Sequence, residues 1–263
     1  MRLHLAFVLC MRSEWDRALR HLNDFHDIAQ AWSCMPASLD CLSRLLKATC
    51  LQGTGYVDDA LILYDGLVNN ESLDPSHIVQ DISRIAALDS ILILRNTPHP
   101  GHASTRALFD HLSTDCATHP NRQIQAAYHL VHSTLLESST IIGRKQTLQS
   151  ALNAAKASQS NTSLCIALSL MHWYFFRDQV NDQAEKSARA AQNMAGKVEN
   201  NIWVSATAGI LGDHLEAAGR PVEASRCFRE GWKAAERLSD GIKSQLGWSD
   251  AKAAINVQVK END

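Results

Sequence analysis

Few residues of this sequence stand where they could do chemistry, and each has a packing alternative. His129 and His132 are three apart on one helical face, a spacing at which two imidazoles could share a metal ion. No carboxylate or thiolate stands beside them, so they read as two partly exposed histidines of a binding groove. Cys165, His172 and Asp178 supply the residue types of a nucleophile, a base and an orienting group. Cys165, however, stands in the apolar run Leu164-Cys165-Ile166-Ala167-Leu168, where a thiol is inert packing, and His172 is seven residues along the same helix. The Gly53-Thr54-Gly55 turn lacks the lysine and the following helix of a phosphate loop. A non-enzymatic chain is expected, with no cofactor and no metal. Binding is what remains. Along residues 161–176, Ser169, Trp173 and Phe176 fall at i, i+4 and i+7 on one side, while Leu168, Met171 and Phe175 occupy another. Ser169, Trp173 and Phe176, with His129, His132 and Asp213, are the expected partner contacts; the competing assignment puts Trp173 and Phe176 in the core between repeats.

Composition narrows the scaffold that must hold these residues. The 263 residues carry 25 Lys and Arg against 28 Asp and Glu, a formal charge of −3, which leaves no basic surplus to neutralise a phosphate backbone. Charged residues at 20% and apolar ones at 45% are globular values. Only 12 glycines and 6 prolines punctuate the chain, so elements are long and helices are favoured over a sandwich or barrel. Seven cysteines, odd in number and scattered through apolar segments without a C-x-x-C pair, are the pattern of reduced thiols in cytosol or nucleus. No apolar run reaches the roughly 18 residues of a membrane span. Residues 1–12 lack a small-residue cleavage site and read as a helix of the fold.

The residues from Leu211 to Phe228 read L-G-x2-L-x3-G-x4-A-x3-F, which follows the tetratricopeptide pattern. Gly212 and Ala224 are small where two helices approach, Leu211, Leu215 and Phe228 fill the space beside them, Gly219 ends one helix and Pro221 starts the next. Ala60 and Tyr64 repeat the second helix of that unit, as does Ala18 with leucine for the aromatic residue, and Ala184 marks a fourth copy. The period is slightly above the usual 34, since Ala18 to Ala60 is 42 residues and Ala184 to Ala224 is 40. Between Ala60 and Ala184 the periodicity is helical without the alanine signature. Asp74-Pro75 opens one helix to about Arg95, a turn follows at 96–101, and Leu108, Phe109 and Leu112 belong to the next. Residues 121–137 and 144–158 form another pair. The sum is an all-α solenoid of about six hairpins, a single domain over 1–263 and an elongated monomer held by contacts between neighbours. His172, large where a small residue should face Ala184, departs from the pattern.

The order and register of these hairpins resemble the C-terminal part of the cohesin loading factor family, the tetratricopeptide subunit of the cohesin loader. The likeness runs from Gly143-Arg144-Lys145 through residues 161–176, Met194-Ala195-Gly196-Lys197-Val198 and Ile202-Trp203-Val204-Ser205-Ala206 to the Gly219 turn, and is looser elsewhere. The resemblance implies a chain lacking N-terminal repeats, since family members are about twice as long. It further implies a nuclear scaffold that binds the extended N-terminal segment of the large HEAT-repeat loader subunit and, through that complex, serves cohesin on chromatin in sister-chromatid cohesion. Direct contact with nucleic acid or membrane is not expected. A regulatory or cochaperone-type protein-binding domain is the other reading.

Overall fold

The computed structural model describes residues 1–30, 35–69, 76–96, 102–136 and 141–245. Twelve helices are found among them: α1 (Arg2–Met11), α2 (Trp15–Gln30), α3 (Ala37–Gly53), α4 (Val57–Asn69), α5 (His77–Asn96), α6 (His102–Ala117), α7 (Arg122–Leu135), α8 (Ile141–Ala157), α9 (Asn161–Phe175), α10 (Asp182–Val198), α11 (Asn201–Ala217) and α12 (Pro221–Gln245). There is no strand among the described residues. The expected Asp74-Pro75 helix start and the turn at 97–101 lie outside the described residues.

Local chemistry accounts for the boundaries. Asn121, Ser160, Asn181 and Asn200 each cap a helix, their side-chain oxygens accepting from the backbone N–H of Gln123, Ser163, Ala184 and both Ile202 and Trp203. Helix α8 begins at Ile141, ahead of the expected start at Arg144, and so draws that arginine into its first turn. Four turns share one left-handed geometry, in which the N–H of Glu14, Tyr56, Ser160 and Arg220 bonds back to the carbonyl of Leu9, Leu51, Ala155 and Leu215. The left-handed residue just before each is Ser13, Gly55, Gln159 and Gly219.

Consecutive helices pack as six hairpins, and the hairpins stack as an α-solenoid. Each odd-numbered helix also touches the next odd-numbered one, from α1 to α11, so these helices form a continuous layer on the tighter, inner side of the curve. Ala18, Ala60 and Ala184 are fully buried and Ala224 nearly so, and Tyr64, Leu211 and Leu215 are enclosed with them. A Cβ on Gly212 would stand 2.7 Å from Phe228 Cδ1 and 2.8 Å from its Cζ. Arg220 grips Glu185 of α10 through both carboxylate oxygens at 2.9 Å and also holds Glu223 at 2.6 Å, which ties α10 to α12.

Two expectations are corrected. His172 does not disturb the approach to Ala184: its imidazole is buried beside the Ala184 backbone, so a large polar side chain is accommodated where a small residue was expected. Nor is the array simply elongated, with contacts between neighbours alone. Helix α2 packs on α12, Asn200 Nδ2 donates to the Met11 carbonyl at 2.8 Å, and Arg12 pairs with Glu199 at 3.2 Å. Each hairpin is turned slightly against the last, and six such turns bring residues 189 apart in sequence into hydrogen-bonding distance.

Candidate functional site

The expected contact trio of α9 is divided by the fold. Ser169 is buried and its hydroxyl donates its one proton to the Cys165 carbonyl at 2.8 Å, within its own helix. Phe176 is half-buried just past the helix end, its ring 6.5 Å from that of His172. Trp173 alone reaches the surface, with 53% of its area exposed, and so is not core between repeats. Leu168, Met171 and Phe175 pack instead against Leu130, Leu148 and Leu152, which turns α9 so that Trp173 faces outward.

Trp173 belongs to a cleft of about 500 Å³ at the C-terminal ends of α5, α7 and α9. Two guanidinium–aromatic stacks build it. Arg177 lies 5.0 Å above the Trp173 ring, and Arg144 lies 4.2 Å above Tyr174. Arg144 is buried and donates through Nε to the Ser133 carbonyl at 3.1 Å and through Nη2 to the Leu136 carbonyl, so the carbonyls at the end of α7 hold its plane against Tyr174. Arg95 from the last turn of α5 is the third cation of the cleft, and Asp178, 3.3 Å from Arg177, is the one carboxylate among its described lining residues. The cleft therefore presents an exposed tryptophan, a tyrosine and a surplus of guanidinium groups, the residue types that dominate the energetics of protein interfaces.

The remaining expected contacts stand apart from it. His129 faces α8 at a separate cleft with Gln125, Ser150 and Asn153, and its Nδ1 has no partner. The His132 ring lies 5.2 Å from Phe109 and 5.8 Å from Tyr128, and His129 meets the same tyrosine ring at 5.3 Å. Burial holds both imidazoles below the ordinary histidine range, so they are neutral near pH 7. Asp213 is exposed on α11. No group of three or more potential metal ligands occurs among the described residues.

A larger cleft, about 740 Å³, lies where the first and last hairpins meet. Three of its four arginines are already engaged, Arg12 with Glu14 and Glu199, Arg17 with Glu14 and Arg20 with Asp16, while Arg237 is exposed. It joins the first and last hairpins, and its tryptophan, Trp15, is half-buried. The sequence singles out Trp173 but not the arginines around it. Arg177, four residues after Trp173, carried a usable signal, because that spacing stacks a cation over the ring; Arg95 and Arg144 come from other helices and carried none.

Compared with protein families, residues 1–222 match the family model described as Cohesin loading factor. A comparison with curated proteins finds no match.

Proposed function

The chain belongs to the cohesin loading factor family, and on that premise we propose that it is a non-enzymatic adaptor of the cohesin-loading complex that holds an extended segment of the large HEAT-repeat loader subunit. It serves cohesin loading, and we place it in the nucleus, where cohesin meets chromatin. No described helix is long and apolar enough to cross a membrane.

The observation that carries the reading is the exposed Trp173 stacked by Arg177 beside the Arg144–Tyr174 pair. A large aromatic side chain left half in water, with its rotamer held by a cation, is prepared to bury area in a partner at little entropic cost. The partner's residues would cover Trp173 and take hydrogen bonds from Arg95 and Arg177.

The test is co-purification and titration of this chain with the N-terminal segment of the HEAT-repeat subunit. Trp173→Ala is expected to weaken binding by about 2–4 kcal/mol, roughly 30- to 1,000-fold, while the melting temperature moves by only a degree or two, because the side chain is not core. Full-strength binding by the variant removes Trp173 from the interface. Capture of a chaperone tail through its terminal carboxylate, in place of the loader segment, overturns the loader reading itself.

A further inference from the structure

Cys10, in the last turn of α1, and Cys50, near the end of α3, bring their sulfurs to 3.2 Å inside the core shared by the first two hairpins. By contrast, Cys165 turns its thiol to the Ala191 carbonyl at 3.5 Å. We propose that Cys10 and Cys50 form a reversible thiol–disulfide pair that staples the first hairpin to the second at the turn supporting the ring closure.

A disulfide needs its sulfurs about 2.05 Å apart, so the thiols must approach by only about 1.2 Å, within the play of two packed helices. The two residues are 40 apart in sequence, so the bond would close a long loop between separate repeats. Their place in the fold gives the bond a consequence. Met11, next to Cys10, supplies the carbonyl that accepts from Asn200, and the Cys10 carbonyl itself accepts from Ser13 N at 3.0 Å in the turn to α2. Fixing Cys10 to α3 therefore fixes the end of α1 on which the first and last hairpins meet.

The oxidant is a low-molecular-weight disulfide such as glutathione disulfide. Cys10 is the more exposed of the two residues, at 5% against none for Cys50, and α1 packs on α2 and α3, so its displacement from them exposes Cys10 first. The Cys10 thiolate attacks one sulfur of the oxidant, a Cys10–glutathione bond forms, and one glutathione thiolate leaves. The Cys50 thiolate then attacks the Cys10 sulfur, the protein disulfide forms, and the second glutathione leaves. The protein loses two electrons and two protons; the electrons reduce the oxidant and the protons end on the two released thiols. The hydrogen bond shared with Cys10 and then burial hold the Cys50 thiol far above its ordinary range, so the second step proceeds while α1 is displaced and its reversal needs the same opening.

The experiment uses the full chain in glutathione buffers of graded oxidising strength, quenched with N-ethylmaleimide and mapped by non-reducing peptide mass spectrometry. The expected product joins the Cys10 and Cys50 peptides with the loss of two hydrogens, tracks the glutathione ratio and disappears on reduction. Amide exchange in α1 slows in the oxidised form. Cys10→Ser and Cys50→Ala each remove the linked peptide, and the wild-type mapping decides the matter even where a variant fails to fold. Recovery of both thiols in alkylated form at every ratio overturns the proposal, as does a product that stops at glutathionylated Cys10 or joins either cysteine to a third.

Discussion

Close helix approach in this chain rests on single small residues roofed by aromatic rings. Gly212 lies under Phe228, and Gly53 lies under Trp15, whose Nε1 would stand 2.7 Å from an added Cβ. Gly231 faces Ala208 Cβ and the Ser205 carbonyl at 3.1 and 3.2 Å, so α11 and α12 meet through two small residues rather than one. The Phe228 ring is about one-third exposed and can swing outward, which limits the cost of a larger residue beneath it. Gly212→Leu is expected to destabilise the chain by about 2 kcal/mol in chemical denaturation, through overpacking. Phe228→Ala in the same chain should recover part of that loss, because the two residues share one space. Equal stability of Gly212→Leu and wild type would remove the close approach as the cause of glycine at 212.

At the scale of the element, the recurring unit is the turn as much as the helix. Ser13, Gly55 and Gly219 each sit five residues ahead of the buried alanines Ala18, Ala60 and Ala224, and all three take positive φ, at 60°, 91° and 74°. Glycine adopts that conformation without penalty, whereas an L side chain there costs roughly 1–2 kcal/mol. Ser13 bears that cost and also buries a hydroxyl that has no hydrogen-bond partner. Ser13→Gly should therefore stabilise the chain by about 1 kcal/mol, and Gly219→Ala should destabilise it by about 1–2 kcal/mol, both read from denaturation midpoints. A stabilising Gly219→Ala would show that the turn is not held in the left-handed region in solution.

For the molecule as a whole, the buried ionisable groups set opposing responses to pH. His129, His132 and His172 are held below the ordinary value of 6.5, chiefly by burial. The native state then binds fewer protons than the unfolded chain, so their contribution is present above pH 6.5 and is lost as pH falls below it. Asp89, half-buried beside Tyr64 of the neighbouring α4, is pushed up from 3.8 to about 7 by burial. There the native state keeps a proton that the unfolded chain releases, so its contribution is full below pH 3.8, is lost as pH rises from there to about 7, and does not change above 7. The two responses therefore oppose each other below about pH 7 and level off above it. Asp89→Asn is expected to remove the opposing loss, so that the variant gains stability more steeply than wild type as pH rises from 5 to 7 in melting curves from pH 5 to 8.5. A wild-type slope between pH 5 and 7 in that variant would exclude Asp89 as the opposing group.

Helical class, hairpin count and the small-residue positions of the last repeat were legible in the sequence. They depend on neighbours within about twenty residues: the 3.6-residue spacing of apolar side chains, Asn and Ser caps, and glycine at the ends of α3 and α11. Membership of the cohesin loading factor family was legible for the same reason, since it is written in the order of such local features. What spacing alone got wrong was orientation. Ser169, Trp173 and Phe176 share a face on paper, but Ser169 bonds back to its own helix, the chain leaves the helix at Phe176, and the packing of Leu168, Met171 and Phe175 decides that only Trp173 is exposed. The cleft around Trp173 needed the tertiary structure, because Arg95 and Arg144 arrive from α5 and α8. So did the meeting of Cys10 with Cys50 and of Met11 with Asn200. Contacts between repeats follow from the small rotation of each hairpin on the last, and that rotation is fixed by packing summed over the whole array rather than by any residue's own preference.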